Sequence, residues 1–198
     1  MKTIDVGTEG PVQMQIVAID TDLLASDNTK KAPITWISKQ LLNTSKRVYN
    51  TSSNYSDWAN CDMRVYLRGT VLPMLPSVVQ NGIKEVTKYT NKRTSSAGYT
   101  TVSATENIWL PSYREVSNNT SNCETSGVQY NSIFTSDNAT RVKSKVGNSA
   151  TYWWTRSASG YSDSDCSYCF AGVRGYGGAS YIGSGCTYSY GVAIGFCT

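Results

Sequence analysis

Six tyrosines, four cysteines, two aspartates and one arginine are gathered in the last 42 residues, Ser157–Thr198, among nine glycines and eight serines. These are groups suited to holding a ligand rather than transforming one. Tyrosine gives large, stiff, amphipathic contact area at low entropy cost, while Ser and Gly add adaptable hydrogen bonds and room for turns. Lys, Glu, Gln, Met, Trp, Leu, Pro, His and Asn are absent from the same stretch, although Asn occurs fourteen times before residue 149. Tyr161, Tyr168, Tyr176, Tyr181, Tyr188 and Tyr190 have few aliphatic neighbours, so the local sequence supplies no core for them. They are expected to form an ordered, exposed aromatic surface between the strand-like segments Phe170–Val173 and Gly191–Phe196.

Reactive arrangements are poorly supported. The chain has no His, which removes Ser–His–Asp and Cys–His pairs. Cysteines stand at 61, 123, 166, 169, 186 and 197, and Cys166-Ser167-Tyr168-Cys169 is the one CxxC. A structural zinc site needs a second such pair, and a redox dithiol needs a helix start that this Gly/Ser stretch does not offer. Asp163 and Asp165 lack a calcium-binding loop pattern. Gly177-Gly178 and Gly183-Ser184-Gly185 are followed by neither Lys-Ser/Thr nor a helix former, so they read as turns rather than a phosphate loop. No metal and no cofactor is expected, and unpaired thiols are the expectation for an intracellular chain.

The bulk numbers set the remaining limits. The chain has 198 residues, 39% hydrophobic and 16% charged, with a net charge of +4; one domain over residues 1–198 is expected. Residues 1–156 hold seventeen Lys+Arg against twelve Asp+Glu, and the tail one Arg against two Asp. The excess is scattered, densest at Lys30-Lys31 and Asn91-Lys92-Arg93, without the clustered basic stripe that nucleic-acid binding uses. No apolar run approaches a membrane span. Met1–Gly10 lacks the apolar core of a signal peptide, so entry into a secretory route by itself is not expected.

The elements that must position the tail are mostly short strands. Pro11–Ile19 alternates and then turns continuously apolar, a strand entering the core. Pro33–Ser38 is a second strand. Asn43–Asp57 reads as a loop, with Ser56 as N-cap of a helix that carries Trp58, Cys61 and Val65 and ends at Gly69. Leu72–Ile83 predicts short helical turns, Lys84–Tyr89 a strand, and Asn91–Thr100 a loop. Ile108–Ser112 is expected as a buried strand running into a cap, Tyr113–Val116 as a brief helix, Ser117–Gly127 as a polar insertion, and Asn138–Val142 as a helical turn or strand. Tyr152–Arg156 and Gly191–Cys197 are the closing strands. In the former, Trp153, Trp154 and Arg156 read either as a ligand-stacking platform or, as expected, as structure, with one Trp buried while Arg156 anchors a turn by hydrogen bonds. The fold class is α+β.

Taken in order, these segments resemble a known family. Its carriers are Ile16-Val17-Ala18-Ile19-Asp20, Ala32–Ile37, Trp58-Ala59 with Met63-Arg64 and Leu67, Leu72-Pro73 and Leu75-Pro76, Trp109–Tyr113, Tyr152–Ala158 and Gly191–Cys197. The chain resembles DUF6273-type domains, with the C-type lectin-like fold of the variable proteins of diversity-generating retroelements in phages and bacteria. Ile194 stands where the usual pattern has Pro. In such systems a reverse transcriptase misreads template adenines, so AAY codons for Asn become NNY. NNY cannot encode Lys, Glu, Gln, Met or Trp, all missing from the tail; Leu, Pro and His are allowed by NNY and missing as well.

The resemblance implies a diversified region at about 157–191. Its candidate ligand-binding positions are Tyr161, Asp163, Asp165, Cys166, Tyr168, Cys169, Arg174, Tyr176, Gly178, Tyr181, Ile182, Gly183, Gly185, Cys186, Tyr188 and Tyr190. The expected function is a non-enzymatic ligand- or receptor-binding domain, virion-associated or displayed on a cell surface. Its partner would be a protein or glycan on a host or target cell, with no nucleic acid and no membrane insertion. Two competitors are an enzyme of the formylglycine-generating type, for which Cys186 and Cys197 are the remote candidates, and a structural phage tail or surface domain.

Overall fold

A computed structural model describes residues 1–46, 48, 57–94, 98–117, 124–158, 170–180 and 187–198. In chain order the strands are β1 (Lys2–Asp5), β2 (Pro11–Ile19), β3 (Ile34–Ser38), β4 (Val86–Arg93), β5 (Tyr99–Glu106), β6 (Trp153–Ala158), β7 (Phe170–Val173), β8 (Ala179–Ser180) and β9 (Gly195–Cys197). The helices are α1 (Asp62–Tyr66), α2 (Leu72–Met74), α3 (Ser77–Gly82) and α4 (Tyr113–Val116). The protein is therefore α+β, with antiparallel strand pairing and few, short helices. Three sheets form, in the orders β1-β2-β3-β9, β4-β5 and β6-β7-β8. Among the described residues no helix is long and apolar enough to cross a membrane.

The first sheet is covered on both faces, and β2 shows how. Val12 and Met14 point into a large cluster with Trp58, Trp109, Trp154 and Phe196. A register shift between Ile16 and Ala18 then re-aims the strand, so that Val17 enters a second cluster with Ile37, Trp153 and Ala193. The change from alternating to continuous apolar residues in the sequence is the trace of this bulge. Trp153 and Trp154 divide the same way, one into each cluster, and every residue of β6 is buried. The expectation that only one Trp is buried is thus corrected: a strand with packing on both faces has no solvent side.

The C-terminal segment is woven through this core. Gly195 and Trp109 exchange backbone hydrogen bonds at 2.8 and 3.0 Å, Leu42 N–H donates to Val192 O at 2.9 Å, and Trp154 N–H donates to Gly191 O at 3.1 Å. Ile108–Ser112 is accordingly an extended stretch with one bridge to Gly195 rather than a full strand, and β9 is shorter than Gly191–Cys197.

Two helix boundaries also differ from expectation. Ser56 lies outside the described residues. Asp57 caps the turn Trp58–Asn60, and the Cys61 sulfur accepts from Arg64 N–H at the start of α1. Gly69 does not end the helix, because a π-helical turn over Leu67–Val71 carries the chain on into α2, with Leu67 and Val71 in the core. In place of the loop expected at Asn91–Thr100 come the end of β4 and the start of β5, beyond whose last pair Thr94 N–H donates to Gly98 O at 3.0 Å. Polar residues there are misleading, since Asn91 and Arg93 are themselves buried.

Trp153 sits at 0% exposure with its indole N–H donating to Arg141 O at 3.1 Å. Trp153→Ala is expected to destabilise the fold by about 3–5 kcal/mol, combining lost burial with a cavity, as measured by urea denaturation against the wild-type chain.

Candidate functional site

The described part of the tail consists of two tips on buried stems. The first follows β7. Arg174 N–H donates to Gly178 O at 2.9 Å and Gly177 N–H donates to Arg174 O at 2.7 Å, closing a turn with Tyr176 at its tip, 62% exposed. Gly177 adopts φ +82° and packs on Asn138, where a Cβ would fall onto the carbonyl oxygen. The buried Arg141 clamps this turn, its Nε donating to Gly177 O at 2.8 Å while its Nη groups donate to Thr135 O and Asn138 Oδ1, each at 2.6 Å.

The second tip precedes β9. Tyr188 is 58% exposed and stacks on Tyr190 with ring centroids 6.1 Å apart and planes at 7°. Tyr190 stacks on Tyr152 at 5.3 Å and lies over Trp154 at 4.6 Å. Its backbone exchanges hydrogen bonds with Lys46 at 3.0 and 3.1 Å, and the Trp154 indole N–H donates to Lys46 O at 3.0 Å. The result is a tyrosine array grown outward from a buried tryptophan.

Among the expected positions, Tyr176 and Tyr188 are exposed, and Arg174, Gly178 and Tyr190 are half-buried. Tyr161, Asp163, Asp165, Cys166, Tyr168, Cys169, Tyr181, Ile182, Gly183, Gly185 and Cys186 lie outside the described residues. Tyr152 joins the aromatic face although its place in Tyr-Trp-Trp-Thr-Arg reads as strand packing. Strand alternation around Trp153 was the available signal, since Tyr152 and Trp154 must share a face.

The core also holds an ionic network that joins residues far apart in the sequence. Lys88 Nζ donates to Asp22 Oδ1 (2.6 Å), Glu115 Oε1 (3.0 Å) and the Tyr130 hydroxyl (2.6 Å). Arg156 grips Glu115 with two parallel bonds of 2.7 and 2.8 Å and donates to Leu110 O and Tyr89 O. Asp22 also accepts from Thr35 and from the Tyr130 hydroxyl. Arg156 is therefore an anchor of the core, not of a turn as expected. Burial alone would raise the Glu115 carboxyl, but the Arg156 and Lys88 charges outweigh it and hold it down to about 2. The visible signal was Ser112-Tyr113-Arg114-Glu115, a capping box that forms as such at α4.

A cavity of about 400 Å³ opens beside the network, lined by Asp22, Lys31, Lys88, Tyr89 and Glu115 among others. The three donors of Lys88 are all taken by internal partners, so this floor is a satisfied structural array. Cys61 and Cys197 are buried free thiols, each pushed up to about 12 mainly by burial; low thiolate character is the opposite of what a nucleophilic cysteine requires. Among the described residues no cluster of three or more His, Cys, Asp or Glu is placed to hold a metal.

Lys143 stands apart. Its ammonium is buried between Phe134 and Trp153 and donates to Ser38 O and Lys39 O. Among the described residues no carboxylate pairs with it. Burial, with the nearby Lys39 charge, lowers it to about 7.

Two predictions follow from these stems. In the unfolded chain Lys143 titrates near 10.5, so between about pH 7 and 10.5 the unfolded state binds the extra proton and stability rises with pH. The gain is complete above the unfolded value and is lost as pH falls to the folded one, roughly 4–5 kcal/mol at most. Urea melts of wild type and Lys143→Met from about pH 6 to 9.5 should show this rise in the wild type alone. For the first turn, Gly177→Ala is expected to cost about 2 kcal/mol or more, from positive φ and the Asn138 carbonyl. Gly178→Ala meets only the movable Tyr176 ring and should stay within about 1 kcal/mol of wild type in the same melts.

Comparison with known proteins gives one match. No curated protein and no solved structure matches this chain. A family model described as "Domain of unknown function (DUF6273)" matches residues 20–197, which takes in the ionic network, both tips and the strands that carry them. The chain belongs to the DUF6273 family.

Proposed function

We propose that this chain is a non-enzymatic binding domain whose C-terminal surface, at about 157–191, is a diversified ligand-contacting face on a C-type lectin-like scaffold. One observation carries the reading. Tyr176 and Tyr188 stand 62% and 58% exposed while Phe170, Val173, Val192, Ile194 and Phe196, which frame their segments, are all at most 3% exposed. Stems packed in the core and tips that face solvent are what a replaceable contact surface needs, because little ordering entropy is lost on binding. A Cβ at Gly177 would meet the Asn138 backbone, whereas one at Gly178 would first meet the end of the Tyr176 side chain, which extends the same division into single positions. On this reading the domain is virion-associated or displayed on a cell surface, and the partner is a surface protein or glycan of a host or target cell. The high thiol value at Cys197 favours binding over formylglycine-type chemistry.

The reading is tested by replacing Tyr176 and Tyr188 together with serine. Stability should change by about 0.5 kcal/mol or less per site, as for exposed substitutions. Binding to peptides selected from a random display library should fall by about 2 kcal/mol or more per anchoring ring. An unfolded double variant would place these rings in the core and sink the proposal. So would a coding locus with no adjoining reverse transcriptase and no near-copy of the tail bearing AAY at the candidate codons.

A further inference from the structure

The four-stranded sheet is met at one edge and open at the other. Beyond β9, Lys84 bridges Cys197 and Trp109 bridges Gly195. β1 forms the opposite edge, and among the described residues no strand or bridge pairs with its outer side. The ladder shows which groups that edge offers. Gln13 stands opposite Thr3 and turns its backbone to its other neighbour. Its carbonyl accepts from Lys39 N–H at 2.8 Å and its N–H donates to Gln40 Oε1 at 3.2 Å. Pro11, opposite Asp5, has no N–H to give. Thr3 and Asp5 therefore hold the non-bonded positions of the β1–β2 ladder, and their own N–H and C=O groups point outward.

Lys2 and Ile4 alternate with them and send their side chains to a single face. On that face a cavity of about 200 Å³ lies between the sheet and α3, lined by Lys2, Ile4, Met14, Trp36, Val78 and Phe196 among others. Ile4, Met14 and Phe196 belong to the core, whereas Val78 is exposed. Small-molecule pockets run to about 300–1,000 Å³; this one suits a single side chain. Charged residues on a short edge strand commonly serve to discourage aggregation, and Lys2 and Asp5 fit that role. The cavity beside the edge is what that role leaves unexplained.

We propose that β1 accepts an extended segment of a partner protein as a fifth strand of this sheet, with one apolar side chain of that segment in the cavity and an acidic one two residues away beside Lys2. The site uses none of the candidate tail positions and does not rest on the binding reading given for them. In strand addition, main-chain bonds supply affinity and a pocket for alternate side chains supplies specificity. Lys2 is exposed beside the cavity, and opposite charges on facing strands attract, which selects the acidic residue. A second copy of this chain is the poorer occupant. Its β1 would bring Lys2 and Ile4 to the pocket face, and its Ile4 is already packed in its own core, so the cavity would stay empty.

The test selects a random peptide library displayed on phage against the whole chain, with counter-selection on Thr3→Pro, which removes an outward N–H that the β1–β2 ladder does not use. Val78→Asp, an exposed change at the cavity, is the second variant. Melting curves of both should match wild type. The surviving peptides should share an apolar and an acidic residue two positions apart. They should bind wild type about tenfold more tightly than either variant, as for loss of a hydrogen bond or of a filled pocket. Replacing Tyr176 and Tyr188 together with serine should leave their binding unchanged. On the unaltered chain, N-methylation of alternate peptide nitrogens should abolish binding in one alternation and not the other, a readout that stands even where Thr3→Pro fails to fold. Binders that Thr3→Pro and Val78→Asp hold as tightly as wild type would overturn the inference, and so would equal tolerance of both N-methylated series. Loss of such binders on the double serine variant alone would leave the tail reading standing. Dimers in sedimentation that Thr3→Pro disperses would overturn the commitment to a partner segment in favour of a second copy.

Discussion

Glu115 is the point through which the molecule is tied together. Its carboxylate accepts from Arg156 on β6, Lys88 on β4 and the Ser112 backbone at its own helix start. Through Lys88 the link continues to Asp22 and from there to Thr35 on β3 and to Tyr130. Two cations and two anions balance within the interior. Buried ion pairs add little net stability compared with well-packed apolar residues, but loss of one partner leaves an uncompensated charge and is severe. Hydrogen-bond direction is what such an array adds. Lys88 satisfies its three donors only when the segments carrying Asp22, Glu115 and Tyr130 arrive at set positions, whereas apolar contact tolerates sliding.

That constraint explains what was readable in the sequence and what was not. Periodicity found β2, β3, β6 and β7, whose apolar side chains point into one cluster or the other. The cap read at Ser112 marked the start of α4, and the short helical turns read over Leu72–Ile83 are α2 and α3, parted at Leu75-Pro76. The strand read at Lys84–Tyr89 is the first half of β4, but the rest of β4 and all of β5 were missed because their identity depends on pairing with each other. Asn91 and Arg93 are buried polar residues, and local pattern cannot separate them from the solvated polar groups of a loop. The network itself joins positions 22, 35, 88, 115, 130 and 156, and no window of sequence contains it. Composition, by contrast, exposed the tail at once, because the absence of Lys, Glu, Leu and Asn over 42 residues is visible without any fold.

The two layers meet at β6. Arg156 fixes the strand to the ionic network, Trp153 and Trp154 fix it to the two apolar clusters, and Tyr152 emerges at its start into the aromatic face. A change in ring identity at Tyr176 or Tyr188 acts on groups whose contacts are largely with solvent. A change in β6 acts on every segment that meets Glu115. The structure thus separates positions whose replacement alters a surface from positions whose replacement alters the frame, and it does so within a few residues of chain.

Tyr190 marks where that separation narrows. Its ring reaches the aromatic face through Tyr152 and Tyr188, yet it packs on the fully buried Trp154, and its backbone is locked to Lys46. One residue later, Gly191 has no room for a Cβ against Leu41, and from Val192 onward every side chain to Cys197 is buried. On the proposed reading, freedom to vary should decline steadily from Tyr188 to Gly191 rather than stop at a boundary. At position 190 an aromatic ring is favoured for its contact with Trp154. On the same reading the face has one end anchored in the core, which would align the exposed rings before any ligand arrives and confine variation to contacts the frame does not use.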